Sequence, residues 1–195
     1  MRNKRIVIIG TRTWELTSIH MEYFVNNNAN IVGILESPTE GITTTTSGGS
    51  SSKPIHEIAG DQSIPIICGK PKDDGIMDQI REWAPDVIVV IGYQFFLPDE
   101  FLNIPPMGVL NFHTSLLPRH CGRHPGFWTI WYGDEKSGMC VHYMDSGAIY
   151  TEKLDGQILN NHALDWAELT LNTIQKNSFD LSEYKKKLTT LRKLI

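Results

Sequence analysis

The sequence predicts an α/β fold in which helices flank a mostly parallel sheet. Three observations predict it. Short β-branched runs recur along the chain and end in Gly or a polar turn, as strands buried on both faces do. Segments with apolar residues at helical spacing lie between them. Strands that alternate with helices favour parallel pairing, because each crossover helix then covers a sheet face.

"RIVIIG" (5–10) is the first strand, a continuous apolar run closed by Gly10. Residues 14–25 suit a helix, with Thr13 as its N-cap and Glu15 in the first turn, where the helix end is electropositive. "NIVGIL" (30–35) is a second strand, "IPIIC" (64–68) a short third and "DVIVVIG" (86–92) a long fourth. The helix before the fourth, "GIMDQIREWA", carries Ile76, Ile80 and Trp83 at helical spacing, and Pro85 stops it. "GVLNF" (108–112) is a fifth strand, and the segment that follows it ends as a helix near Trp128. Together these elements describe a Rossmann-like sheet.

Two segments stand apart. From Gly41 to Pro54, 11 of 14 residues are Gly, Ser or Thr, which reads as a surface loop. Amides beside glycines can cradle an anion, but the Lys and the strand-to-helix context of a phosphate loop are missing. In the last residues, Leu181, Tyr184, Leu188, Leu191 and Ile195 form one apolar stripe, with Lys185, Lys186 and Lys187 mainly off it. Residues 161–195 are therefore expected as a short helical C-terminal extension of a domain spanning 1–160. The stripe packs either on that domain or on a second copy of the chain, as a homodimer, and the sequence leaves both open.

With 195 residues, 41% hydrophobic and 21% charged, the composition is that of a globular domain. No apolar run approaches the roughly 20 residues that cross a bilayer, and the apolar part of "MRNKRIVIIG" is too short for a signal sequence. A net charge of −4 offers no general attraction for nucleic acid. Cys68, Cys121 and Cys140 have no paired spacing and are expected as reduced thiols of a cytoplasmic protein.

The chemistry concentrates in "GVLNFHTSLLPRHCGRHPGFW" (108–128). Side chains two apart on a strand share a face, so Asn111 and His113 project together while Phe112 turns into packing. Ligands of open parallel sheets lie beyond the carboxyl ends of the strands, where this pair stands. A His there can move protons near neutral pH, and an Asn amide can donate to a developing oxyanion. The pair suits acyl transfer through a tetrahedral intermediate; a structural His at a strand end is the alternative. His113, His120, Cys121 and His124 are also zinc-type ligands, but "HCGRH" lacks a paired second cluster, so no metal is expected.

"NFHTSLLPRHCG" resembles the Asn-x-His-x-Ser-Leu-Leu-Pro-x-x-x-Gly signature of the formyltetrahydrofolate-dependent formyltransferases. "VIVVIGYQFFLPDEFL" is similar to the strand and loop that hold the pterin in that family, and "GDEKSGMCVHYMDSGAIYTEK" to its later segments. The resemblance implies 10-formyltetrahydrofolate as co-substrate, held around Tyr93, Gln94, Phe95, Phe96 and Leu97. It also implies that Asn111 and His113 act with an Asp. The family's Met-Asp-x-Gly-x-Asp-x-Gly stretch is shortened here. Aligned without a gap the Asp position falls on Ile149; aligned with a deletion it falls on Asp145, the expected third catalytic residue.

Among family branches, the purine-synthesis enzymes grip a phosphate with a Gly-Ser-Asn turn after strand one, where this chain reads "GTRTWE". The initiator-tRNA enzymes carry a C-terminal nucleic-acid-binding barrel that the tail is too short to form. "GRHPGFWTIW" resembles the stretch of the sugar N-formyltransferase branch, with Arg123, His124 and Trp128 toward the acceptor. Packing of Trp128 and Trp131 against the sheet is the competing account. The expected partner is a small-molecule amine, an amino-sugar on a nucleotide carrier. A homologue that binds or hydrolyses the formyl-folate, with transfer impaired by the shortened Asp loop, is the second function class.

Overall fold

A computed structural model describes residues 4–12, 14–38, 53–117, 119–122 and 124–144. In chain order its elements are β1 (Arg5–Gly10), α1 (Glu15–Asn26), β2 (Asn30–Glu36), α2 (Ile55–Asp61), β3 (Ile66–Cys68), α3 (Ile76–Glu82), β4 (Val87–Ile91), α4 (Asp99–Leu102), β5 (Val109–His113), α5 (Pro125–Trp131) and β6 (Cys140–Tyr143). The strands form one sheet in the order β3-β2-β1-β4-β5-β6. Every pairing is parallel except β5 with β6. The α/β class and the mostly parallel sheet are as the sequence predicts.

The period-two alternation sorts the sheet residues between two layers. Ile6, Ile8, Ile34, Val87, Val89, Leu110 and Phe112 pack with Met21 and Phe24 of α1 and with Ile55 and Ile58 of α2. Val7, Ile9, Leu35, Ile88, Val90 and Val109 pack with Ile76 and Ile80 of α3, Trp83, and Phe101 of α4. Burial on both faces is why these strands read as unbroken apolar runs.

Several boundaries differ from the sequence expectation. β3 begins at Ile66, after Pro65, which has no N–H to give a ladder. It is an edge strand, and Ile66 is exposed. Helix α1 starts at Glu15 with Trp14 at the N-cap position and no side-chain cap bond, while Thr13 lies outside the described residues. α2, α4 and β6 have no counterpart in the sequence expectation: α4 and β6 have four residues each, too few to display a period, and α2, with Ile55, Ile58 and Ala59 inward, follows directly on the stretch read as a Gly/Ser/Thr loop. Of the Gly41–Pro54 loop only Lys53 and Pro54 are described, with Pro54 at the N-cap position of α2, and the 161–195 extension lies outside the described residues.

The chain runs outward from β1 to β2 and β3, then returns to β4 on the other side of β1, so the topological switch falls between β1 and β4. Thr11 Oγ1 donates to Gly92 O at 2.6 Å and Thr17 Oγ1 to Ile91 O at 3.1 Å across this junction. Gly92 has φ +69, and a Cβ there would fall 1.7 Å from the Trp14 ring. Only glycine satisfies both conditions.

His20 of α1 lies beneath β5, its ring 4.3 Å from that of Phe112. Its Nδ1–H donates to Leu16 O at 2.7 Å, while Nε2 is buried without a partner among the described residues. Burial pushes the His20 pKa down from 6.5 to about 4, against the opposing Leu16 bond. Folded His20 therefore stays neutral where the unfolded chain binds a proton, so stability falls as pH drops from about 6.5 to about 4. The loss reaches about 3 kcal/mol at the low end. In urea titrations at stepped pH, His20→Leu should flatten this slope; a slope unchanged from wild type would assign the acid sensitivity to other groups.

Candidate active site

Leu110 and Phe112 of β5 belong to the α1/α2 layer, so Asn111 and His113 share the opposite side with Val109. On β6, Val141 and Tyr143 join the α1/α2 layer as well. The antiparallel register sets Asn111 opposite His142 and His113 opposite Cys140. Asn111, His113 and His142 therefore share one side of the sheet, at the carboxyl end of β5.

The hydrogen bonds of this group fix its protons. His142 Nδ1 lies 2.9 Å from Tyr143 O, and a carbonyl can only accept, so Nδ1 carries the hydrogen. Nε2 of the neutral ring is then an acceptor. It receives Asn111 Nδ2–H at 3.1 Å, which sets the orientation of the amide. His113 is the mirror case. Its Nε2 lies 3.1 Å from His120 O, so Nε2 donates and Nδ1 holds the lone pair. Burial lowers the His113 pKa, partly offset by the bond to His120. Burial also lowers that of His142; the Tyr143 bond opposes this, and charge on His113 adds to it. Both rings are neutral at pH 7, and they meet edge to face with centroids 6.3 Å apart.

Chemically, Asn111 has a second amide hydrogen and His113 a basic nitrogen, both at the strand end. A donor for an oxyanion and a proton acceptor are what addition of a nucleophile to a carbonyl requires. Around them the turn after β5 is tightly held. Ser115 is buried. His120 Nε2–H donates to Asp134 Oδ2 at 2.5 Å, and Arg119 Nε donates to the same oxygen at 2.7 Å while its Nη2 reaches Oδ1. The bonds from Arg119 and then His120 hold the Asp134 carboxyl far below the usual carboxylate range.

The remaining predicted site residues divide. In the loop after β4, Tyr93 Oη donates to Gly69 O at 3.1 Å, and burial pushes its hydroxyl pKa above the usual range. Phe95 stands edge to face with Tyr93, under Lys70 Nζ at 4.8 Å. Gln94 is half-buried, Leu97 is buried in the α3/α4 layer, and Phe96 is 66% exposed. His124 is exposed at the left-handed N-cap of α5. Trp128 is 39% and Trp131 69% exposed, and neither belongs to the two hydrophobic clusters of the sheet; Thr129 is the buried residue of that helix. Arg123, Asp145 and Ile149 lie outside the described residues.

Two members of the site were not assigned from sequence. His142 alternates with Val141 and Tyr143 in "CVHYM", which marks a strand residue facing away from the core, but only the pairing puts it beside Asn111. Asp134 sits in a polar turn with no periodic signal. Among the described residues, no group of three His, Cys, Asp or Glu side chains is placed to hold a metal ion, and no helix is long and apolar enough to cross a membrane.

A family model described as formyl transferase matches residues 4–165. The chain is 35% identical over 144 residues to the methionyl-tRNA formyltransferase of Clostridioides difficile (strain 630), covering 73% of this chain and 45% of that protein. It is 32% identical over 198 residues to the methionyl-tRNA formyltransferase of Francisella tularensis subsp. tularensis (strain WY96-3418), covering 98% and 59%. It thus spans about half the length of the curated relatives it matches. The fold is similar to the phosphoribosylglycinamide formyltransferase of Bacillus halodurans (TM-score 0.62, 17% identity, 90% and 91% of the two chains). It is also similar to a formyltetrahydrofolate deformylase of Pseudomonas syringae pv. tomato (TM-score 0.62, 15% identity, 88% and 57%).

The proton assignments are open to direct measurement. Long-range 1H–15N spectra of histidine-labelled protein at pH 7.5 should show His113 as the Nε2–H tautomer and His142 as the Nδ1–H tautomer. Asn111→Ala should broaden or shift the His142 signals and leave the His113 pattern intact. An Nδ1–H form of His113 would contradict the bond to His120.

Proposed function

The chain belongs to the formyl transferase family, and on that premise we propose that it moves a formyl group from 10-formyltetrahydrofolate to a primary amine. The observation that carries this reading is the complementary polarity of Asn111 and His113 on one side of the β5 end. The amine nitrogen attacks the formyl carbon, and the carbonyl oxygen takes up the negative charge. The second N–H of Asn111 stabilises that charge, and Nδ1 of His113 accepts the proton lost by the amine. Collapse of the tetrahedral intermediate breaks the bond to N10, which takes back the proton held by His113 and leaves as tetrahydrofolate. The products are a formamide and tetrahydrofolate, with no oxidant or metal in the balance. Asp145 is the carboxylate proposed to orient His113 or, in place of His113 Nδ1, to accept the amine's proton through water. Tyr93, Gln94, Phe95, Phe96 and Leu97 are proposed to hold the pterin; the exposed Phe96 ring and the backbone of the loop support this, whereas Leu97 contributes by anchoring the loop in the core.

The acceptor proposed is an amino-sugar on a nucleotide, approached by Arg123, His124 and Trp128. The aromatic face of α5 supports it, because a sugar or base ring can lie against Trp128. The turn after β1 also favours an acceptor not gripped there by phosphate, since Arg12 is already committed to Glu36 through Nε at 2.9 Å and Nη2 at 2.5 Å. A methionyl-tRNA acceptor is the second reading, favoured by the names of the curated relatives. Hydrolysis of the formyl donor is the outcome if the Asp145 loop fails to serve.

One assay separates the three. The protein is incubated with 10-formyltetrahydrofolate and an amino-sugar nucleotide, with initiator methionyl-tRNA, or with no acceptor. Formamide product in the first arm alone is expected; product only with tRNA would move the acceptor, and formyl loss without any acceptor would make the protein a hydrolase. Asn111→Ala, His113→Ala and Asp145→Asn should each cut transfer by about 100-fold or more while the protein stays folded. Near-normal turnover by the folded Asn111 or His113 variant would sink the pair.

The folate loop is tested without turnover. Titration with a folate analogue should shift backbone amide signals of residues 93–97 more than those of any other described loop. Silence there with a response elsewhere would relocate the pocket.

A further inference from the structure

We infer that Asp134 is a positioning residue for His113, acting through His120, whose backbone carbonyl it holds against the His113 ring. The inference rests on the reading that His113 accepts a proton at Nδ1, and it extends that reading to a carboxylate 21 residues further along the chain.

One residue, His120, makes both contacts. Its carbonyl oxygen accepts from His113 Nε2 at 3.1 Å, and its own Nε2–H donates to Asp134 Oδ2 at 2.5 Å. The carbonyl points where it does because His120 has φ +55, in the left-handed region that a side chain with a Cβ disfavours by roughly 1–2 kcal/mol. The turn must supply a compensating interaction to keep that conformation. The side chain supplies it: 8% exposed, it is pinned by Asp134 and stacked on Tyr132 at 5.7 Å with the planes 19° apart. Asp134 is itself fixed, its oxygens held by the Arg119 fork and its N–H donating to Thr129 O at 3.0 Å. The chain of bonds from Arg119 to Asp134 to His120 to His113 thus ends on the nitrogen that decides which tautomer His113 adopts. Without the carbonyl, neutral His113 would be free to put its hydrogen on Nδ1, the atom needed as base. A surface ion pair serving only the turn would have no reason to select that tautomer.

The test uses the full chain labelled at histidine. In Asp134→Asn, which keeps the side-chain shape and removes the charge, the single Nε2–H pattern of His113 should give way to a mixture of tautomers. Formyl transfer should lose about tenfold in kcat while KM for 10-formyltetrahydrofolate stays within about twofold. His120→Phe retains a ring on Tyr132 but removes the donor to Asp134. It should reproduce both effects, and the double variant should be no worse than either single one, as members of one chain of contacts behave. A wild-type tautomer pattern in either folded variant overturns the inference, as does an unchanged kcat with only a lower melting temperature. Should Asp134→Asn fail to fold, His120→Phe decides alone. Should the wild type transfer no formyl group, the proposed function fails, and the tautomer spectra still decide the positioning role.

Discussion

The register of β6 against β5 governs the site. Asn111 faces His142 because Leu110 faces Tyr143 and Phe112 faces Val141. With a side-chain period of two, a slip of one residue would turn His142 into the α1/α2 layer and bring Val141 or Tyr143 to the Asn111 side. Burial prevents the slip. Val141 and Tyr143 are core residues, and each such side chain is worth roughly 1.5–3 kcal/mol on burial. The Asn111–His142 bond, worth about 1 kcal/mol net, could not hold the register itself. The apolar layer on one side of the sheet therefore aligns the polar groups on the other.

Two neutral histidines with opposite tautomers give the site its polarity. Each donates to a backbone carbonyl, His113 from Nε2 and His142 from Nδ1, and each is kept from charging by burial. His142 spends its lone pair on Asn111, so the amide is held as a donor; His113 keeps its lone pair at Nδ1. Protonating His142 would reverse this, because two donors cannot share a bond and the amide would have to turn its oxygen inward. Charge on His113 makes that step harder still, since it lowers the His142 pKa further. A proton on His113 would therefore favour the neutral His142 that holds the Asn111 amide as a donor.

Elsewhere along the carboxyl edge, charge is closed on itself. Glu36 is 2% exposed at the end of β2 and is met by both ends of the Arg12 fork. Such a pair is stable as a unit, while loss of one partner leaves a buried charge at a cost of about 3–5 kcal/mol. Helix α5 has the opposite character. It turns Thr129 inward and presents Phe127, Ile130 and Trp131 outward, the reverse of an ordinary surface helix. Phe127 and Trp131 stack at 5.9 Å, so the face is an ordered aromatic surface beside the His120 turn.

Much of this protein was legible in its residues. The apolar runs at 5–10, 30–36 and 87–91 read as strands covered on both faces because they are short, rich in Val and Ile and bounded by Gly or polar turns. Alternation likewise puts Asn111 and His113 on one side and Phe112 on the other wherever the strand lies. The exposed α5 aromatics were not legible, since a helix rich in Trp and Phe reads the same whether it faces a core or solvent. Neither was β6, whose four residues carry no period of their own. Local pattern alone thus determined the first five strands, the class of the fold and the shared face of the Asn–His pair. The tertiary structure alone decided their partners: His142 lies 31 residues from Asn111 and Asp134 lies 14 from His120. A hydrogen bond between distant segments is set by which strands pair and which turns close, and no residue carries that choice by itself.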